Sequence, residues 1–287
     1  MSVYDRTYKG YDGPKTDRLF RFLVISRYAL QDVFRSRLFV GFFVACFLPM
    51  LVNTVLIYLH YNVEALSILN LSAIELVKIN TTFFYFGVVV PQSFLSLFLI
   101  LLVGPALISP DLRNQALPLY LSRPVNKTDY VLGKLAVVVG LAAAVTIVPG
   151  GFLFLLQSAL AGTEWLSENM RIGPALILGF GTWILVLSIF ALAVSAWVKW
   201  KPFARILFLG SILVTAAVGN VFKLVYDTWW GSVMVLADLM IRVWDFLLGR
   251  ESVMDIPWPL AWFCLAAFAG VSLLALYRRI RAFEVIS

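Results

Sequence analysis

The sequence predicts an all-α integral membrane protein with six transmembrane helices. Three observations predict it. Hydrophobic residues make up 61% of the 287-residue chain, and charged residues only 14%. Mean hydropathy is +0.90. A soluble domain carries roughly 45–50% apolar and about 25% charged residues. A soluble body of this size has too much surface for so apolar a composition. A soluble enzyme, a disordered chain and a coiled coil are therefore excluded. At roughly 20 apolar residues per crossing helix, the chain has room for several spans.

The chain divides into a cytoplasmic N-terminal segment, 1–37, and a six-helix transmembrane domain, 38–287. The first 37 residues hold eight Lys/Arg and four Asp, and the first long apolar run begins only at Leu38. A cleavable signal peptide would place a short apolar region much nearer Met1, so none is expected. Within this segment, 17–37 reads as an amphipathic helix at the membrane surface. Leu19, Phe22, Leu23, Leu30, Val33 and Phe34 recur at helical spacing, and Arg21, Gln31, Asp32 and Arg35 favour another face. Such a helix is either a plain anchor before the first span or an elbow that also meets a cytoplasmic partner.

Six apolar runs are long enough to cross: 38–60, 83–109, 130–160, 174–198, 203–225 and 257–277. Lys199–Trp200–Lys201–Pro202 forces a tight hairpin between the fourth and fifth. Pro49, Pro91, Pro105 and Pro149–Gly150–Gly151 interrupt the runs. Proline removes a backbone donor and kinks a helix. These breaks are packing kinks or hinges for a helix that moves. Asn53, Gln92, Gln157 and Asn220 either bond to neighbouring helices or line a substrate path. No span has an Asp or Glu near its middle, which argues against a proton- or sodium-driven carrier.

Charge sets the expected orientation. With the N-terminus inside, eighteen of the 23 Lys/Arg fall in 1–37, 110–134, 199–205 and 278–287. The other five are Lys78, Arg171, Lys223, Arg242 and Arg250. This positive-inside bias predicts that both termini are cytoplasmic. For a bacterium the membrane would be the plasma (inner) membrane.

Two further segments do not cross. Residues 110–129 form the longest inner loop after the N-terminal segment. The loop is too polar to span, yet carries Leu112, Leu117, Leu119, Tyr120 and Leu121. Pro110 suits the first turn of a short helix, with Asp111 at the positive end of its dipole. The loop either folds back on its own helix ends or docks a cytosolic protein. Residues 229–248 place Asp238, Arg242 and Asp245 on one stripe of an otherwise apolar helix, at a spacing that allows Asp–Arg pairs. Trp229, Trp230 and Trp244 suit an interface. The expectation is an outer interfacial or re-entrant helix, serving as a lid or as an outer gate.

The chain lacks the residues of several chemistries. No G-x-x-x-x-G-K-[ST] loop occurs: Gly133–Lys134 is followed by Leu135, and Thr128 stands where the first glycine belongs. There is no H-E-x-x-H and no G-x-S-x-G. The lone histidine, His60, cannot form a multi-histidine metal site. Cys46 and Cys264 sit in apolar runs as small core residues. No catalytic residue, metal ligand or cofactor ligand is expected in this chain.

The stretch GPALISPDLRNQALPLYLSRPVNKTDYVLGKLAVV resembles the signature of ABC-2-type transporter permeases. In that family an acidic residue ends the second span. A short helix follows, then L-S-x-P-V, then G-K opening the third span. Asp111, Leu121–Ser122–Arg123–Pro124–Val125 and Leu132–Gly133–Lys134 match these features, and SRYALQDVFRSRLF is similar to the family's N-terminal helix. Gln115–Ala116 stand where the family usually has Gly-Thr. The six-span layout agrees over the whole chain, and the motifs cover about its first half.

The resemblance implies a transmembrane permease subunit of an ATP-binding cassette exporter. ATP and Mg would be bound by a separate cytosolic P-loop ATPase, and a second permease copy or homologous permease would complete the pair. Asp111, Leu112, Arg113, Gln115, Leu117, Tyr120 and Arg123 would couple to the ATPase. Arg21, Arg27, Asp32 and Arg35 would belong to the elbow helix. Asp238, Arg242 and Asp245 would lie on the outer re-entrant helix. Membrane lipids are the remaining expected partner, and nucleic acid is not expected. Three other readings stay open: a non-transporting scaffold that recruits an ATPase, a membrane-embedded enzyme, and a self-sufficient carrier.

Overall fold

In hydrocarbon every backbone N–H and C=O must find a partner within the protein, so long apolar runs become helices. The computed structural model describes residues 21–62, 78–116 and 126–280, which are helical and contain no strand. Six helical stretches are long and apolar enough to cross a membrane. Span 1 is Arg37–His60, span 2 Thr81–Arg113, span 3 Lys127–Asn169, span 4 Ile172–Trp197, span 5 Lys201–Tyr226 and span 6 Trp258–Arg279. These agree with the expected runs within a few residues, except that span 3 extends to Asn169.

The helices are α1 (Arg21–Phe34), α2 (Arg37–Ala45), α3 (Leu48–His60), α4 (Val90–Val103), α5 (Ser109–Arg113) and α6 (Lys127–Val145). They continue with α7 (Ile147–Asn169), α8 (Ile172–Trp197), α9 (Lys201–Tyr226), α10 (Leu236–Leu248) and α11 (Trp258–Arg279). Helix α8 is the central post. In its most apolar window 61% of residues are buried, against 11% in span 5 and 17% in span 1. Spans 1 and 5 therefore lie on the rim. Their outward Leu51, Val55, Ile206, Val214, Val221 and Leu224 are the surface that an acyl-chain solvent tolerates and water does not.

The prolines break the helices, and neighbours repair the breaks. Span 1 breaks at Cys46–Phe47, so Pro49 sits in the first turn of α3, where its missing N–H does no harm. Pro91 cannot donate to the carbonyl of Gly87, which lies in a π-helical turn, Phe84–Val89. Asn53 Nδ2 of span 1 donates to that oxygen at 2.8 Å. Gly104–Pro105 turns the end of span 2 into a 3-10 segment. Ser195 of span 4 knits this turn: its Oγ accepts from the N–H groups of Ile108 and Ser109, each at 3.0 Å, and donates to Pro105 O at 2.9 Å. Ser195 thereby caps α5 from another helix. Span 3 kinks at Thr146, just before Pro149.

Span 3 bends a second time at Gly162, with φ 85° and ψ −174°, a region essentially closed to residues with a Cβ. Beyond the bend, Trp165 Nε1 donates to Ile79 O at 2.7 Å, and the segment runs on to Asn169. Two of the other span polars separate in role. Gln157 Nε2 donates to Tyr61 Oη at 2.6 Å, whereas Asn220 is exposed.

Candidate functional site

One end of the bundle carries α1, α5, the start of α6, the α8–α9 hairpin and Arg278–Arg279. It is called the basic end here. Here the acidic residue of α5 is held by α6. Tyr130 Oη donates to Asp111 Oδ2 at 2.6 Å, and Lys134 Nζ lies 2.9 Å from the same oxygen. Tyr130 and Lys134 are four residues apart on α6, so they share one face. Lys134 also donates to Leu107 O at 3.0 Å. The pair is sheltered, with side-chain exposure of 7% for Lys134 and 15% for Asp111. A buried ion pair is tolerated where hydrogen bonds satisfy both partners, and these do.

The same turn of α6 holds α1. Gly133 has no side chain, and a Cβ there would lie 2.9 Å from both Ile25 Cβ and Phe22 O. Ser26 Oγ donates to Gly133 O at 2.8 Å. The buried face of α1 consists of Ile25, Ser26 and Ala29, with Phe22, Leu30 and Val33 half-buried beside them. This differs in part from the face read from hydropathy, because Leu23 and Phe34 are exposed. Gly133 lets α1 approach α6 closely at Ile25 and Phe22, which favours the Ile25–Ala29 stripe. Arg27, Asp32 and Arg35 are exposed.

Of the other residues placed on the inner loop, Leu112 is half-buried, and Arg113 and Gln115 are exposed. Leu117, Tyr120 and Arg123 lie outside the described residues. Helix α5 ends in a left-handed residue, Gln115, with φ 51°. Ala116 N–H then donates to Asp111 O at 2.8 Å, the 6→1 bond of a Schellman ending. Asp111 faces α6, so the surface that α5 offers outward is Arg113, Asn114 and Gln115.

At the opposite end the chain folds back after span 5. A 3-10 segment, Trp229–Met234, runs against α9, and α10 follows. Val233 and Met234 share an apolar cavity of about 430 Å³ with Val214 and Val218 of span 5, so the segment re-enters the bundle. Trp244 packs edge-on against Phe180 of span 4 at 5.0 Å. The Ser211 and Thr215 hydroxyls beside the cavity bond to carbonyls of their own helix.

The expected Asp–Arg pairing within α10 is corrected by the salt bridges found. Asp238 pairs with Lys223 of span 5 at 2.6 Å, and Asp245 with Arg250 at 3.6 Å. Arg242 Nε instead donates to Ile256 O at 2.6 Å. Arg171 donates to Phe246 O at 2.5 Å and Leu247 O at 2.8 Å, capping the end of α10. Arg250 also lies 3.7 Å from the Tyr85 ring centre. Burial raises the Asp245 carboxyl above its ordinary range, and Arg250 opposes this only in part.

Compared with known proteins, the chain matches no family model and no curated protein. Its geometry therefore carries the functional argument.

Sequence reasoning missed Lys223, Arg250 and Arg171 as anchors of the fold-back. The signal was present. Four of the five basic residues against the charge bias, Arg171, Lys223, Arg242 and Arg250, are tied to this one segment. Among the described residues, no group of three or more His, Cys, Asp or Glu is placed to hold a metal ion.

Proposed function

We propose that this chain is the transmembrane permease subunit of an ATP-binding cassette transporter. It moves a substrate outward across the plasma membrane, using ATP hydrolysed by a separate cytosolic subunit. Both termini and the basic end are cytoplasmic. A second permease chain, identical or homologous, completes the pathway.

The observation that supports this reading best is the junction at α6. One helical turn holds α5 through Asp111–Tyr130–Lys134 and α1 through Gly133–Ser26. Ser195 ties α5 in turn to the central span 4. A push on α5 or α1 from a docked ATPase is therefore delivered to spans 3 and 4 through short polar contacts. Packed side chains and hydrogen-bond networks can carry such coupling, and in this reading the junction is its membrane side. In this reading the fold-back at the opposite end serves as the outer gate.

The test is co-purification in mild detergent, with bound proteins identified by mass spectrometry. The wild-type chain retains a cytosolic P-loop ATPase in stoichiometric amount. Leu117→Asp with Tyr120→Asp releases it while the permease remains folded by size exclusion. Retention in that variant would remove the docking assignment. Absence of any ATPase after cross-linking of native membranes would remove the transporter reading. A scaffold that only recruits the ATPase passes the first test and fails a transport assay in vesicles.

A further inference from the structure

The hairpin between spans 4 and 5 lies against α5 and encloses a cleft of about 580 Å³. Its walls are Pro110, Arg113 and Asn114 on one side and residues 199–202 on the other. Arg113, Lys199 and Lys201 are exposed cations. None of them joins a salt bridge among the described residues, and no described carboxylate lines the cleft. The start of α9 opens here as well, with no side-chain cap at Trp200. The positive end of its dipole adds to the field of the three cations.

A neighbouring cavity of about 240 Å³ shares Lys201 and runs inward. Leu38, Phe39, Leu102 and Val103 give it apolar walls, Arg205 lines it, and Asp32 supplies its one acidic group among the described residues. Arg205 Nη2 donates to Leu102 O at 2.7 Å, and its buried Nε has no hydrogen-bond partner among the described residues. Trp200 is exposed on the wall of the cleft. Exposed tryptophans at a span end belong at headgroup depth. Three cations without a salt bridge among the described residues, at that depth and next to a recess with apolar walls, match an anion joined to a hydrocarbon chain.

We propose that this cleft binds the phosphate of an anionic phospholipid, with Arg113, Lys199 and Lys201 around the phosphate and the inner cavity taking the first part of an acyl chain. Basic pockets between spans select anionic headgroups in this way. The proposed orientation decides only which leaflet supplies the lipid. The apolar walls of the recess and the exposed Trp200 favour a lipid over an acidic protein surface.

The test uses the full chain purified in a nonionic detergent, with bound lipid counted by native mass spectrometry. Phosphatidylglycerol and phosphatidylcholine are offered in equal amounts. The wild type retains phosphatidylglycerol at least about tenfold over phosphatidylcholine, and each neutralised cation weakens that retention about fivefold. The variant Arg113→Gln, Lys199→Gln, Lys201→Gln loses the preference. Arg278→Gln, at the same end but outside the cleft, keeps it. Should the triple variant fail to fold, Lys199→Gln alone, in the exposed hairpin, carries the fivefold test. Equal retention of both lipids by the wild type overturns the proposal. So does a preference that survives in the cleft variants, or an equal loss in Arg278→Gln. If inorganic phosphate binds the wild type while phosphatidylglycerol does not, the site is for a soluble anion and the lipid assignment fails. Loss of ATPase co-purification leaves all of these outcomes unaffected, so this inference and the transporter reading fail separately.

Discussion

Lys134 and Asp111 form a sheltered ion pair 2.9 Å apart, joining the first turns of α6 to the short helix that ends span 2. Removing one partner of a buried pair leaves the other charge without compensation, a loss of about 3–5 kcal/mol. Lys134→Met is therefore expected to lower the unfolding temperature markedly in detergent. Tyr130→Phe removes one hydrogen bond to the carboxylate and is expected to cost about 1.5–3 kcal/mol. A thermal melt of the two variants gives the order. Equal, small shifts would show that the pair contributes nothing.

Gly133 sets the distance between α1 and α6. Gly133→Val places a branched side chain into Ile25 and the Phe22 carbonyl. Overpacking of this kind costs about 1–3 kcal/mol, and here α1 can relieve it by moving away. Limited proteolysis should then cut within 21–36 in the variant and not in the wild type. Ser26→Ala should give a weaker form of the same result.

Gln115 holds a left-handed conformation at the end of α5. A residue with a Cβ pays about 1 kcal/mol or more for that backbone. Gln115→Gly is expected to raise stability by up to about 1 kcal/mol, offset by the glycine's extra freedom in the unfolded chain. Gln115→Val should lower it. A melt showing the opposite order would remove the Schellman ending.

Asp245 gives a pH dependence with a definite sign. Its carboxyl is raised above the ordinary value of 3.8, with burial as the leading cause. The folded state therefore holds the proton more tightly than the unfolded state. The resulting stabilisation is present below the ordinary value and is lost as pH rises through the raised one. Relative to Asp245→Asn, the wild type should lose melting temperature as pH rises above the ordinary carboxyl value of 3.8. A difference independent of pH would contradict this.

The two ends of the bundle should label from opposite sides of the membrane. Single cysteines at Ser122 and at Asn169, in a background lacking Cys46 and Cys264, report this with an impermeant maleimide. Labelling from one side would break the six-span order.

The six spans and the hairpin at Lys199–Pro202 were legible in the sequence, because each follows from local composition: unbroken hydrophobic length and a basic break. The face of α1 was legible only in part. Hydropathy favoured Leu23 and Phe34, but in a bilayer an exposed apolar side chain is no penalty, so hydropathy does not say which side meets protein. The small residues Gly133 and Ala29 decided it by permitting close approach. The partners of Asp238 and Asp245 were not legible either. Their spacing to Arg242 suggested pairs within α10, yet the fold-back brought Lys223 and Arg250 to them instead.

By itself, then, the sequence determined six helical stretches long and apolar enough to cross a membrane, their limits to within a few residues save the end of span 3, and which end is basic. These are sums over neighbouring residues. Only the tertiary structure decided that Ser195 of span 4 caps α5, that Asn53 serves the carbonyl four residues before Pro91, and that α1 and α5 meet at one turn of α6. Those contacts join residues far apart in the chain. They arise because a backbone group left unpaired in hydrocarbon must be satisfied by whichever neighbour the packing brings to it.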